Sequence, residues 1–231
     1  MRKWLIGGAV ALTVVVAVAA GLYVLMNSRT YQLAGRLVDR VETTEKVVAL
    51  TFDDGPTDRT PEVLRTLADL EVTATFYLIG DNLAANPEYG AAIAAAGHEI
   101  GNHSYHHRRM VFISGETARD EVEPTDAEIR RTGYRGPITF RPPYGKKLWS
   151  LPRYLSEHDR TTVTWDVESD SAGGATRAAI VADTMAGTRP GSIVLLHVMH
   201  RGESLAALPE IVEGLRAEGY RFTTVSDLMR R

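Results

Sequence analysis

Two short stretches of this 231-residue chain carry residue types whose spacing could do chemistry together. In TFDDGP, Thr51 to Pro56, two carboxylates follow the apolar run Val47-Val48-Ala49-Leu50, and Gly55-Pro56 then turns the chain. Adjacent carboxylates repel, so Asp53 and Asp54 imply a cation, a shared proton or two separate jobs. A turn that simply favours Asp is the alternative. In GNHSYHH, Gly101 to His107, His103 and His107 stand four residues apart, a spacing that on one helical turn puts both imidazoles on one face. Two imidazoles and one carboxylate suit a dipositive ion that keeps a position open for water. Side chains at a strand end point in alternating directions. One of Asp53 and Asp54 can therefore bind metal while the other takes a proton, whereas His106 is out of phase with His107 for sharing that ion.

These residues need elements to position them. Strand-like runs are VVALTF (47–52), ATFYLIG (74–80), HEIGNH (98–103), ITFRPPY (138–144), TTVTWDV (161–167), GSIVLLH (191–197) and RFTTVS (221–226). Between them lie helical patterns, among them PEVLRTLADLE, PEYGAAIAAAG and LPEIVEGLRAEGY. SGETARDEVEPTDAEIRRTG is charged and amphipathic, with Pro124 expected to kink or divide it. Alternating strands and helices predict an α/β fold with about seven parallel strands covered by helices. No glycine-rich dinucleotide fingerprint follows any strand, so a distorted (β/α) barrel is favoured over an open cofactor-binding sheet. In such folds chemistry collects at strand C-terminal ends. Asp53-Asp54, His103, Arg141, Trp165-Asp166 and His197 all fall there.

Composition narrows the choice. The chain has no cysteine, so disulfides and thiolate metal sites are excluded. Arg2-Lys3 precedes an uncharged apolar run from Trp4 to Met26, which as a helix would extend roughly 34 Å, enough to cross a bilayer core. Residues 1–26 are therefore read as a transmembrane anchor with its N-terminus cytoplasmic, although Arg29, Arg36 and Arg40 beyond it oppose that orientation. The alternative is a signal peptide, for which Ala17-Val18-Ala19 would be the cleavage site. Residues 27–46 read as a charged linker and 47–231 as one domain. The first 40 residues hold five of the 26 Lys and Arg but one of the 29 Asp and Glu, leaving the remainder net acidic, which argues against a nucleic-acid partner.

TFDDGP, HSYHH, RPPY and the late run IVLLH together resemble the polysaccharide deacetylases, the NodB-like domain of carbohydrate esterase family 4. The resemblance extends from about residue 41 to the C-terminus with the motifs in the family's order, and it implies a distorted barrel often short of eight strands. It implies that Asp53 is the general base, that Asp54, His103 and His107 bind the metal, and that Ser104 is structural. It further implies that Arg141 orients the base and favours its anionic form, that Pro142 and Pro143 stiffen the loop, and that Tyr144 offers its backbone N–H to the oxyanion. Leu195 would line the acetyl-methyl pocket and His197 would be the general acid. One motif departs from the pattern. The family often has an Asp-Trp pair after the fifth strand, the Asp tuning the acid histidine and the Trp walling the pocket. Here the run TTVTWDVESD offers Asp166, Glu168 and Asp170 but no following Trp. Asp166 and Asp170 are the candidates to partner His197.

The resulting expectation is a membrane-anchored, extracytoplasmic, metal-dependent N-deacetylase of a cell-wall or surface polysaccharide, with Zn²⁺ the best fit and cobalt, nickel or iron the alternatives. Peptidoglycan N-acetylglucosamine or N-acetylmuramic acid would be the substrate, with chitin-like oligomers second. An O-acetyl esterase acting on a glycan such as acetylxylan, or a non-catalytic glycan-binding module on a membrane stalk, are the rival readings. Other residues receive ordinary roles: His98 packed, His158 and His200 on the surface, His106 without a catalytic role, with reach to substrate as the alternative, and Trp149 in the core, with a wall of the sugar site as the alternative. Lys146 and Lys147 would be a solvated pair or would meet an anionic glycan.

Overall fold

The structure, a computed structural model, describes residues 2–171 and 174–231. Helix α1 (Arg2–Asn27) leads into a short strand β1 (Leu37–Val38) and then into β2 (Val47–Gly55). There follow α2 (Thr60–Asp69), β3 (Thr75–Leu78), α3 (Gly80–Ala85), α4 (Pro87–Ala95), β4 (Glu99–Asn102), α5 (Gly115–Arg131) and α6 (Ser150–Glu157). The chain closes with β5 (Thr162–Val163), β6 (Val167–Glu168), α7 (Arg177–Gly187), β7 (Ile193–Leu196), α8 (Gly202–Ala217), β8 (Arg221–Thr223) and α9 (Val225–Leu228).

All strand pairs are parallel, as alternating strands and helices require. The main sheet runs β4-β3-β2-β7-β6, with β8 also paired to β2. Ala49 pairs with both Ile193 and Thr223, so β7 and β8 flank β2 on opposite edges. The ladder does not close into a continuous barrel among the described residues; β1 and β5 form a separate two-stranded pair. Two expected strands are reduced. ITFRPPY contributes only single bridges at Phe140, to Asn102 and Thr162, because Pro142 and Pro143 have no N–H to extend a ladder. TTVTWDV splits into β5 and β6.

Strand parity sorts the core into two layers. Val48, Leu50, Phe52, Phe76, Leu78, Ile100, Val194 and Leu196 face the helices and pack on Val63, Leu67, Ile211 and Leu215. Val47, Ala49, Tyr77, Ile193 and Leu195 face the other way and pack with Val163 and Trp165. The same parity carries Thr51 and Asp53 on β2, and His197 just past β7, onto this inner face. Gly101 belongs there too: a Cβ on it would sit 2.4 Å from the Tyr77 ring, so only glycine lets that ring cross.

Helix α5 runs undivided through Pro124, against expectation. The proline lies on its exposed face, and Ser114 caps the helix start by accepting from the Thr117 N–H at 3.0 Å. Residues 28–41, read as a linker, are seated on the domain: β1 pairs with β5, the Val41 N–H donates to Gly191 O, and Thr164 Oγ1 donates to Arg29 O. Helix α1 contains one segment, Ile6–Asn27, long and apolar enough to cross a membrane; its apolar stretch is not buried by the domain, which touches only its last residues, Met26 and Asn27.

Candidate active site

The catalytic candidates meet at the C-terminal end of the sheet. Parity delivers Asp53 to the inner face, but the next residue should then face the helices. It does not, because Asp54 takes a left-handed φ of 72° and the β2–β3 register slips between Asp53 and Gly55. The bulge re-aims Asp54 into the same cleft as Asp53. Two further left-handed residues, Ser104 at φ 65° and His107 at φ 53°, bend the segment after β4. The four-residue spacing of His103 and His107 thus works through a tight loop, not through the helical turn expected from the spacing.

The loop is held from beneath by Glu121, a buried acid on α5 that sequence reasoning missed. Its Oε2 accepts from the N–H groups of Tyr105 and His106 at 3.0 and 2.9 Å, and its Oε1 contacts His106 Nδ1 and Arg108 Nε at 3.0 and 2.8 Å. His106 is thereby tied to α5 on the outer side of the loop.

His103, His107 and Asp54 each present one ligand atom, all within 4.8 Å of one another. His107 Nε2 lies 3.0 Å and His103 Nε2 3.4 Å from Asp54 Oδ1. His103 Nδ1 sits 2.7 Å from the Arg141 carbonyl, which only accepts, so Nδ1 carries the proton and Nε2 offers its lone pair to the cleft. Asp54 Oδ1 is buried and has no hydrogen-bond partner of its own. Burial pushes the Asp54 carboxyl up, but His103 and His107 more than reverse this and hold it well below the usual carboxylate range. Burial likewise works against charge on His103, yet Asp53 and Asp54 outweigh it and raise its pKa. Two imidazoles and an orphaned carboxylate oxygen drawn to positive charge fit a divalent metal, with the borderline donor set that suits zinc.

Asp53 stands beside this trio without joining it; its Oδ2 is 3.6 Å from His103 Nε2. Its other oxygen is fixed by Arg141, which is fully buried. Arg141 Nη1 donates to Asp53 Oδ1 at 2.8 Å and to Thr51 Oγ1 at 2.7 Å, Nη2 donates to Thr164 O at 3.0 Å, and the guanidinium lies 4.0 Å from the Tyr77 ring centre. A planar fork with that many fixed contacts can hold a carboxylate in one orientation.

On the opposite wall His197 faces Asp54, Nε2 to Oδ2 at 4.0 Å. Its partner is Asp170: Oδ1 lies 2.9 Å from His197 Nδ1, and Oδ2 accepts from the His197 N–H and from Ser204 Oγ, both at 2.6 Å. Asp166 is turned away and accepts from Ser192 Oγ and the Ile193 N–H, each at 2.9 Å. Burial opposes charge on His197, but the bond to Asp170 and the charges of Asp53, Asp170 and Asp54 raise its pKa to about 9. If protonated His197 delivers a proton in the reaction, activity is complete below that pKa and falls as pH rises through about 9. Asp170→Asn is expected to move this alkaline limb of kcat/KM to lower pH; an unmoved limb would mean that His197 is not the proton donor.

These groups line a cleft of about 350 Å³ with Tyr144, Leu195 and Trp165. Tyr144 has φ 59°, and its ring lies 4.8 Å from that of His107. The Trp that no motif assigned is Trp165, placed before the acid instead of after it; its Nε1 donates to Glu168 Oε2 at 2.8 Å. Asn27, Arg29 and Ser171, which had no sequence signal, also line the cleft, as does Glu168, one of the three acids offered after the fifth strand. The ordinary assignments divide. His98 is buried, as expected, and accepts from the Ala74 N–H; His158 is exposed, and exposed His200 reaches the Asp54 carbonyl at 3.0 Å. Trp149 is exposed and outside the core, because α6 starts beside it and points Leu151 and Leu155 inward instead. Lys147 is buried, not solvated: its Nζ donates to Ser28 O, and burial lowers its pKa to about 8.

Comparison with known proteins places the chain in a family. The family model for polysaccharide deacetylase matches residues 40–163. A peptidoglycan-N-acetylglucosamine deacetylase from Bacillus cereus is 34% identical over 201 residues, covering 85% of this chain and 94% of its own. Among solved structures, a peptidoglycan N-acetylglucosamine deacetylase in complex with an N-oxidanyl-benzamide superposes with TM-score 0.79 at 31% identity, covering 83% of this chain and 92% of that one. A mutant of a family-4 pseudoenzyme with restored enzymatic activity also superposes at 0.79, with 27% identity over 85% of this chain and 72% of its own. With its motifs, its parallel α/β fold and these relatives in agreement, the chain belongs to the polysaccharide deacetylase family.

Proposed function

We propose that this protein is a metal-dependent hydrolase that removes N-acetyl groups from amino sugars of peptidoglycan, working outside the cytoplasm from a membrane anchor formed by residues 1–26. The observation that carries the reading is the division of labour between adjacent carboxylates: Asp54 converges with His103 and His107, while Asp53 is held apart by Arg141. The relatives' substrate supports peptidoglycan N-acetylglucosamine as the first choice. The uncovered apolar helix supports the anchor. The bridges at Phe140 support a distorted barrel whose wall passes through single pairs where full strands are missing.

Asp54, His103 and His107 would hold the ion, Zn²⁺ for preference, and a bound ion would supply Lewis-acid polarisation of the acetamide carbonyl and a lowered pKa for water. The protein's own groups do the rest. Asp53 Oδ2 takes the proton of the attacking water as its oxygen bonds to the carbonyl carbon, with Arg141 keeping the carboxylate aimed. The backbone N–H of Tyr144 donates to the oxyanion, and Leu195 and Trp165 enclose the acetyl methyl. His197, held by Asp170, gives its Nε2 proton to the sugar nitrogen as the C–N bond breaks, releasing acetate and the free amine.

The test is acetate release from a panel of acetylated glycans, with chelator and with Zn²⁺ restored. Activity on peptidoglycan fragments that is lost to chelator and regained with zinc is expected. Metal bound at one equivalent with no acetate released from any glycan would sink the hydrolase reading and favour a binding module.

A further inference from the structure

We propose that the face of the domain surrounding the exit of α1 docks on the headgroup layer of a lipid bilayer, so that the catalytic cleft opens along the membrane surface. The proposal rests on the reading of α1 as an anchor. Outside α1, the exposed large apolar side chains among the described residues are Tyr31, Leu33, Phe112, Tyr144 and Trp149. They are far apart in sequence, but each lies within a few residues of a group bonded to the end of α1 or to Lys147. The Lys147 N–H donates to Met26 O, Lys147 Nζ to Ser28 O and Lys146 Nζ to Asn27 Oδ1, so this pair of lysines grips the end of α1. Tyr144 and Trp149 lie three residues before and two after Lys147. Phe112 lies two residues beyond Met110, which bridges to Lys147. The Tyr31 N–H donates to Ser28 Oγ at 3.0 Å, and Leu33 follows. Scattered single apolar residues need no explanation, but a cluster at the foot of an apolar helix does.

Phe112 makes the case sharpest. It is 76% exposed and held at a left-handed φ of 48°, a conformation that is an outlier for a bulky side chain. Water gives that ring nothing in return, whereas an interface bounded by hydrocarbon does. Cations share the face: Arg109 is exposed with its guanidinium 5.2 Å from the Tyr144 ring centre, beside exposed Arg108, whose Nε is paired with Glu121. Aromatic rings interleaved with Arg and Lys are the composition of a headgroup-level contact, and on a net-acidic domain they are set where an anionic lipid surface would meet them.

There is also no slack. The apolar segment ends at Asn27, and Ser28 is already bonded to the domain. Twenty-two helical residues extend roughly 33 Å, about the thickness of a hydrocarbon core. Asn27, Arg29 and Tyr144 belong both to this face and to the cleft rim. The substrate class follows: glycan lying at, or still attached to, the outer membrane surface, in preference to strands many layers away.

The absence of cysteine permits clean single-site labels. In the full chain, Val15→Cys, Phe112→Cys, Trp149→Cys and Glu213→Cys would each carry bimane, in phosphatidylethanolamine–phosphatidylglycerol vesicles containing headgroup- and chain-nitroxide lipids. Positions 15, 112 and 149 should be quenched several-fold more than 213, an exposed residue of α8. If 15 is quenched but 112 and 149 behave like 213, the docking face is overturned while the anchor stands. An unquenched position 15 removes the anchor and the proposal with it. Quenching does not depend on catalysis, so neither result touches the deacetylase reading. A second arm separates lipid from glycan: with Phe112→Ser and Trp149→Ser combined, KM for a soluble acetylated chitooligosaccharide should stay within twofold. A several-fold rise would make the face a glycan platform and refute membrane docking.

Discussion

Asp53→Asn is expected to lower kcat by about 10²–10⁴ while leaving metal content unchanged, the span expected when a positioned general base is lost. The substitution is nearly isosteric. The amide oxygen can still accept from Arg141 Nη1, which now contacts Asp53 Oδ1 at 2.8 Å, so the local fold should persist. What disappears is an atom able to take a proton from the attacking water. Asp54→Asn should behave differently, because that residue supplies one of the three convergent ligand atoms; metal is lost first and activity follows. Metal analysis beside acetate release distinguishes the two. An Asp53→Asn enzyme with near-normal kcat would show that the free carboxylate is not the base.

Arg141→Ala should be the most destabilising single change at the site. The guanidinium is fully buried, stacked on Tyr77 and bonded to Thr51, Asp53 and Thr164. Its loss leaves a cavity and strands a carboxylate that is itself nearly inaccessible. Breaking one side of a buried ion pair costs roughly 3–5 kcal/mol, which for a domain of this size corresponds to a fall in melting temperature of about 6–20 °C. Lysine should rescue little, since one ammonium cannot span the three acceptors that the planar fork reaches. Thermal unfolding followed by circular dichroism measures this, and a shift under 2 °C, about 0.5–1 kcal/mol on that scale, would contradict the buried pair as a structural element.

Strand parity made much of the site readable in advance. Once VVALTF is a strand, Asp53 must follow Thr51 onto the inner face; once GSIVLLH is one, His197 must follow Leu195. The bulge at Asp54 was not readable, since a left-handed aspartate leaves no periodicity, yet the HxxxH spacing and the second carboxylate foretold its result. Parity failed where the backbone stopped being regular. Between β5 and β6 the chain turns at Thr164–Asp166, so counting alternate residues could not decide between Asp166 and Asp170, nor place Trp165 on the cleft wall. The two prolines after Arg141 erased an expected strand without disturbing the arginine, because its side chain is anchored by acceptors on β2 and beside β5. Glu121 sat unseen in a charged helix, where one buried acid resembles its solvated neighbours.

The stitching of residues 28–41 onto the domain decides where a water-soluble form of the enzyme can begin. Starting the chain at Val47, the boundary expected from the sequence, would strip β1 from β5, leave buried Lys147 without the Ser28 carbonyl and remove Asn27 and Arg29 from the cleft. Starting at Asn27 discards the greasy rod and, of the contacts to it, the Lys147 N–H bond to Met26 O, while keeping every one of those joints.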